Sequence, residues 1–265
     1  MSQSSATNVR SLGSEAKPVH VVAMGGGGGW AAASPSMGGS AGRLPRPMNR
    51  FALSLAHKEM PRVCFIPTAT GDAERSVLSF YTAMSRLPCI PSHLSLFHQD
   101  VRIADVLAGQ DVIYVGGGNT ANLLAIWRLH RVDLLLREMA AERGLVVCGG
   151  SAGGLCWFEC GVTDSFGPEL APLNEGLGWL GGSFCPHYDN EPQRRPTYTR
   201  LVGDGTLAAG WAVDDAAALH YVNGEFRAAL TDRPAAMVYR VRRTESGVVE
   251  EPLEPRLLAE QGAEG

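Results

Sequence analysis

The chain has 265 residues, 45% of them apolar and 19% charged, which is enough for one sizeable core and unlike a low-complexity chain. Twenty-seven acidic residues against 23 basic ones leave a formal net charge of −4, so no partnership with nucleic acid or an anionic membrane is expected. No run approaches the ~18 unbroken apolar residues of a membrane helix, and the polar stretch 1–17 lacks the apolar segment of a secretory signal, so the expected location is cytoplasmic.

Residues 1–17 read as a disordered tail and 18–265 as a single domain. The apolar run from His20 to Met24 predicts a buried strand, followed by Gly25 to Gly29 and a Gly/Ser/Pro loop reaching Pro47. Next come a helix from Asn49 to His57, a strand Arg62 to Ile66, a helix from Ser76 to Arg86 and a strand His93 to Phe97. A short helix Ile103 to Leu107, a strand Val112 to Val115, helices Thr120 to Arg128 and Val132 to Arg143, and a strand Leu145 to Cys148 continue the alternation. Such alternation predicts βαβ units and a doubly wound α/β fold with a mainly parallel sheet. Short strands at Trp211 to Val213, Ala218 to Val222, Phe226 to Leu230 and Met237 to Val241, with an Asn223-Gly224 turn, predict an antiparallel C-terminal edge.

Two counts narrow the chemistry. Lys17 and Lys58 are the only lysines and neither follows a glycine, so the chain has no G-K-[ST] phosphate loop and a lysine Schiff base is not expected. The six cysteines contain no C-x-x-C pair and several sit in apolar runs, which reads as buried thiols in a reducing compartment; neither a metal nor an organic cofactor is expected.

The segment Gly149-Gly150-Ser151-Ala152-Gly153 follows a strand and precedes a predicted helix, the G-x-S-x-G spacing of a nucleophile elbow. Such a turn pushes the Ser151 hydroxyl over the sheet edge, while the Ala152 N–H and the positive helix end suit a developing oxyanion. The same spacing also suits a Gly-rich turn that only packs tightly, or a phosphate-binding turn. One strand earlier, Gly116-Gly117-Gly118-Asn119-Thr120 offers backbone amides above the sheet, a natural second oxyanion donor; a plain turn with Asn119 or Thr120 as helix cap fits equally. A nucleophilic serine needs a base, and only His187 and His220 follow Ser151. His220 lies within an alternating strand pattern, whereas His187 sits at a predicted strand end beside Pro186 and is the better candidate.

In order and spacing, Ile66-Pro-Thr-Ala-Thr70, Val115-Gly-Gly-Gly-Asn-Thr120, Gly149-Gly-Ser-Ala-Gly-Gly154 and Cys185-Pro-His-Tyr-Asp189 resemble the peptidase E family, serine exopeptidases that include aspartyl dipeptidases and cyanophycinases. The resemblance runs from about His20 to Leu258, with Gly154 where the family commonly has Ala and a Ser34 to Pro47 loop without a match. It implies a fold related to class I glutamine amidotransferases, Ser151 and His187 as catalytic residues, and oxyanion amides at Gly118 and Ala152. It also implies an acid between serine and histidine, for which Glu159, Asp164, Glu169 and Glu175 are available. A helix from Ala152 to Phe158 would carry Glu159 about 12 Å from the elbow. Asp164 stands nearest the family's position and is the expected third member.

After the base, the run Asp189 to Arg200 carries both signs of charge. Asp189 and Glu191 could hold a free α-amino group, with Asn119 nearby; Arg194 or Arg195 could fork onto a carboxylate, Arg195 being favoured to read an N-terminal Asp. A solvated helix start is the plain alternative. The expected activity is hydrolysis of short peptides by a Ser–His–acid dipeptidase, as a monomer or a homodimer. An α/β-hydrolase esterase would share the elbow but place its histidine near the C-terminus, and a non-catalytic ligand-binding protein would share the fold alone.

Overall fold

The computed structural model describes residues 17–27, 46–98 and 102–259, so most of the expected N-terminal tail and of the Ser34 to Pro47 loop lies outside the described residues. Strand β1 (Val19–Met24) is followed by α1 (Pro47–Ser54), β2 (Arg62–Ile66), α2 (Glu74–Met84), β3 (Ile90–His93), α3 (Ile103–Leu107), β4 (Val112–Val115), α4 (Thr120–His130), α5 (Val132–Arg143) and β5 (Leu145–Gly150). The second half contains α6 (Ala152–Leu155), β6 (Phe158–Thr163), β7 (Ala171–Leu173), β8 (Leu180–Cys185), α7 (Arg194–Gly203), β9 (Gly210–Val213), β10 (Ala217–Val222), β11 (Glu225–Thr231), β12 (Val238–Thr244), β13 (Gly247–Leu253) and β14 (Arg256–Leu257).

Eight strands form the first sheet in the order β14-β11-β10-β1-β5-β4-β2-β3. Strands β1, β5, β4, β2 and β3 are parallel, and β10 and β11 add the expected antiparallel edge. Period-two alternation sends Val22 and Met24 into the cluster with Met48, Phe80 and Met84 of α1 and α2, and Val21 and Ala23 into the cluster with Leu123, Trp127 and Leu136 of α4 and α5. Helices therefore cover both faces, as the doubly wound reading requires.

The single sheet anticipated from the sequence is in fact two. A second, mixed sheet runs β13-β12-β9-β8-β6-β7, with β6, β8 and β9 parallel and the outer pairs antiparallel. Two of the expected C-terminal strands, β9 and β12, belong to it. The expected strand His93 to Phe97 lies earlier, at β3, because the Leu96 and Phe97 amides donate to the Asp72 carboxylate (2.5 and 2.9 Å) instead of to a neighbouring strand. Pro91 is accommodated because β3 is the sheet's edge. The helix after the elbow is one turn long before the chain crosses into β6. The chain passes between the sheets at β5–α6–β6 and again at β9–β10, and these crossings hold the site described next.

Candidate active site

Three adjacent parallel strands, β4, β5 and β1, end side by side in Gly116–Gly118, Gly150–Ser151 and Gly25–Gly27, at the carboxyl edge where open α/β sheets hold ligands. A cavity of about 320 Å3 opens there, lined by Gly26, Gly27, Gly116 to Gly118, Gly150, Ser151 and His187, with Phe65, Thr70, Ser76, Tyr114 and Val115 around the rest of the wall.

Ser151 has φ 55° and ψ −118°, the strained corner that G-x-S-x-G predicts. Its amide is pinned to Met24 O (3.1 Å) and its carbonyl accepts from Gly154 and Leu155 (2.9 and 2.8 Å). The flanking glycines are sterically required: a Cβ on Gly153 would lie 2.2 Å from Val115 O. Among the described residues the amides of Gly117, Gly118 and Ala152 have no acceptor, which leaves them available to an oxyanion. Because α6 is a single turn, that stabilisation rests on the amides and not on a developed helix dipole.

His187 follows β8 by two residues, in the left-handed conformation (φ 55°), with its amide on Gly25 O (3.2 Å). Its Nδ1 pairs with Asp215 Oδ1 at 2.7 Å. Asp215 sits in the crossing from β9 to β10; its second oxygen accepts Asn190 Nδ2 (3.1 Å), and its amide donates to Asp189 Oδ1 (2.8 Å). Burial pushes this carboxyl up, but the hydrogen bonds from His187 and Asn190 and the charges of His187 and Arg233 outweigh it, so the net direction is down. Its neighbour Asp214 accepts the Met237 amide (2.8 Å), but there burial wins and the carboxyl is pushed up to about 6. Gly26 closes over the pair: a Cβ at this position would lie 2.1 Å from His187 Cε1 and 2.4 Å from Asp215 Oδ1.

The acid partner is thus Asp215, not Asp164. Asp164 follows β6 with 60% of its side chain exposed, 4.0 Å from Arg194, whereas the His187 ring pairs with Asp215. Glu159 binds the Gly182 amide (2.7 Å) on the second sheet. The expected substrate contacts are also engaged elsewhere. Asn119 caps α4 through the Asn122 amide (2.8 Å) and donates to Ser165 O, which bears out the helix-cap alternative. Asp189 pairs with Arg233 and Glu191 with Arg194. Arg194 is buried, with its guanidinium on Glu191 (2.6 Å) and Val162 O (3.1 Å). Arg195 lies between the rings of Tyr188 and Tyr239, 3.0 Å from Glu250, away from the cavity. Sequence reasoning missed Asp215, Asn190, Arg233 and the Phe65–Tyr114 wall; the available signal for the first was a pair of acids at the end of the apolar run Trp211 to Val213. All six cysteines are free and buried, as expected.

Serine, histidine and acid therefore occur in the order Ser151, His187, Asp215, with the acid last, on a doubly wound sheet. The α/β-hydrolase order places the acid before the histidine. The model of peptidase family S51 matches residues 36–229, and the chain belongs to that family. A Bacillus subtilis (strain 168) protein named uncharacterized peptidase YgaJ is 47% identical over 212 residues, which are 80% of this chain and 91% of that protein. Among solved structures, a peptidase from an acI-B1 actinobacterium matches with a TM-score of 0.64 at 15% identity, over 89% of this chain and 94% of its own. A protein of Listeria monocytogenes EGD-e assigned to peptidase E matches with a TM-score of 0.53 at 20% identity, over 79% and 97%. At these identities the two structures establish the shared fold.

Proposed function

We propose that the protein is a serine exopeptidase of the cytoplasm that cleaves dipeptides or other short peptides. The observation that carries the mechanism is the 2.7 Å pair of His187 Nδ1 with Asp215 Oδ1 in the wall that also bears Ser151 on its strained corner. Asp215 holds the proton on Nδ1 and leaves Nε2 free to take the Ser151 proton as Oγ adds to the scissile carbonyl. The amides of Ala152 and Gly118 receive the oxyanion; collapse to the acyl-enzyme expels the amine, which takes the proton back from His187. Water then repeats the sequence, losing its proton to His187 as it adds to the acyl group, and Ser151 Oγ leaves with that proton, restoring the free enzyme. The cavity volume of about 320 Å3 suits a short substrate.

An N-terminal Asp preference read by Arg194 or Arg195 finds no support, since both guanidinium groups are committed outside the cavity. The aromatic edges of Phe65 and Tyr114 with the hydroxyls of Thr70 and Ser76 favour an uncharged side chain on the residue whose carbonyl is attacked. A dipeptide-library screen, together with labelling by a fluorophosphonate, tests the reading. Label and turnover both lost in Ser151→Ala support it, and turnover that survives this substitution above about a thousandth of wild type overturns it.

A further inference from the structure

The loop that presents His187 wraps around Asp215 from three sides. The ring of His187 and the amide of Asn190 take the two carboxylate oxygens, and the Asp189 carboxylate takes the Asp215 main-chain N–H at 2.8 Å. On the far side, Arg233, two residues beyond β11, donates from Nη2 to the other Asp189 oxygen and to the Asp215 carbonyl (2.9 Å). Arg233 is itself anchored by the Thr231 hydroxyl, which accepts its amide (3.0 Å) and donates to Ala216 O (3.1 Å). Asp189 and Arg233 thus hold the backbone of Asp215 on both its N–H and its C=O. Neither residue lines the cavity.

Among the described residues the charges near the ring are these. Asp215 meets it from the β9–β10 crossing; behind Asp215 stand Asp189 of the ring's own loop, Arg233 of the turn after β11 and the adjacent Asp214, whose carboxylate takes the Met237 amide, while Ser151, Gly26 and Gly27 contribute no charge. Arg194–Glu191 and Arg46–Asp232 are closed pairs close by. Arg233 pairs with Asp189, which holds its guanidinium more tightly in the charged form, and among the described residues this is the cation that meets the Asp189–Asp215 pair of acids.

We propose that Asp189 and Arg233 form a positioning pair for the His187–Asp215 dyad, fixing the Asp215 backbone and balancing the charge that the ring experiences. The proposal rests on the serine-peptidase reading above. Its consequence is a signed one. Removing the cation leaves Asp189 and Asp215 uncompensated and favours the protonated ring, whereas removing the Asp189 charge leaves Arg233 unpaired and disfavours it.

The test is the pH profile of kcat/KM for a neutral dipeptide with Arg233→Gln, Arg233→Lys and Asp189→Asn. Arg233→Gln is expected to move the acid limb upward by about half a pH unit to one unit, Asp189→Asn to move it downward by a similar amount, and Arg233→Lys to leave it near wild type. The Gln and Asn variants should lose kcat about tenfold with KM within about twofold, since the substrate wall is untouched. The same substitutions in a Ser151→Ala background, followed by NMR titration of the His187 ring, read the shift without turnover. Opposite displacements of the ring titration support the proposal even if no peptide is cleaved, an outcome that would count against the serine-peptidase reading alone. Displacements in the same direction, or none, in variants whose thermal unfolding stays cooperative would overturn it. If the variants unfold at assay temperature, the ring titration is made at lower temperature, where the same two outcomes decide.

Discussion

Replacing Asp215 by Asn separates the two candidate acids. The carboxylate serves two donors, His187 Nδ1 on one oxygen at 2.7 Å and Asn190 Nδ2 on the other at 3.1 Å. A carboxamide has one oxygen for them, so one donor meets an NH2 group. When that donor is His187, the ring turns to the tautomer protonated on Nε2, the atom that has to accept from Ser151. Asp215 does not line the cavity, so ground-state binding should survive. The expected loss is about 10³- to 10⁴-fold in kcat, on the order of 4–5.5 kcal/mol of barrier, with KM within about twofold. Steady-state hydrolysis of a dipeptide at pH 8, with a thermal melt to verify folding, measures it. Asp164→Asn is the control and should stay within about twofold, because that side chain is 60% exposed and 4.0 Å from Arg194. More than a tenth of wild-type kcat remaining in Asp215→Asn, or an equal loss in Asp164→Asn, would refute the assignment.

Gly26→Ala should reduce kcat by at least about 100-fold, because its Cβ would lie 2.1 Å from His187 Cε1 and the dyad has to move; a variant with normal turnover would show that the glycine cover is not tight in solution. Ala-Leu and Phe-Leu should be cleaved with kcat/KM at least about tenfold above Asp-Leu, and the reverse order would restore an acidic preference and require a cation at the cavity. Burial, together with the positive charges of His20, Arg227 and Arg256, pushes His220 down to about 4, and its Nε2 lies 3.0 Å from His20 Nδ1. Unfolding therefore takes up a proton between about pH 6.5 and pH 4, so this contribution is fully present above pH 6.5 and is lost as the pH falls towards 4, by on the order of 1 kcal/mol after allowing for partial exposure. His220→Gln should flatten that part of the urea-midpoint profile, and a profile as steep as wild type would assign the acid sensitivity to other groups.

The elements legible in the sequence are those whose signal is local. Strands β2 and β4 and helices α3 and α5 fall on the residues their apolar periodicity marks, since a buried parallel strand or an amphipathic helix writes its pattern into consecutive positions. The second sheet was not legible. Its strands β6 to β8 carry Gly161, Pro172, Gly181 and Gly182, residues that weaken any strand pattern, and what makes them strands is pairing with partners distant in the chain.

The same division runs through the site. Ser151 and His187 announce themselves because a strained corner needs its glycines and a base at a strand end stands beside a proline, both written within a few residues. Asp215 reaches His187 only because β9 and β10 belong to different sheets and the chain turns between them at the carboxyl edge. The family resemblance implies an acid between serine and histidine, and nothing local to residues 211–217 outweighs it in favour of Asp215. The charges that follow His187 suggest substrate contacts for a related reason: sequence places them next to the base but does not say what neutralises them. In the fold Asp189 meets Arg233, Glu191 meets Arg194 and Arg195 meets Glu250, so the run is consumed in holding the loop. That is the less costly arrangement physically, because a buried or half-buried charge left waiting for substrate would be unpaired in the free protein. Among the described residues the cavity wall around Ser151 is instead built of backbone amides, aromatic rings and hydroxyls, groups that need no counter-charge.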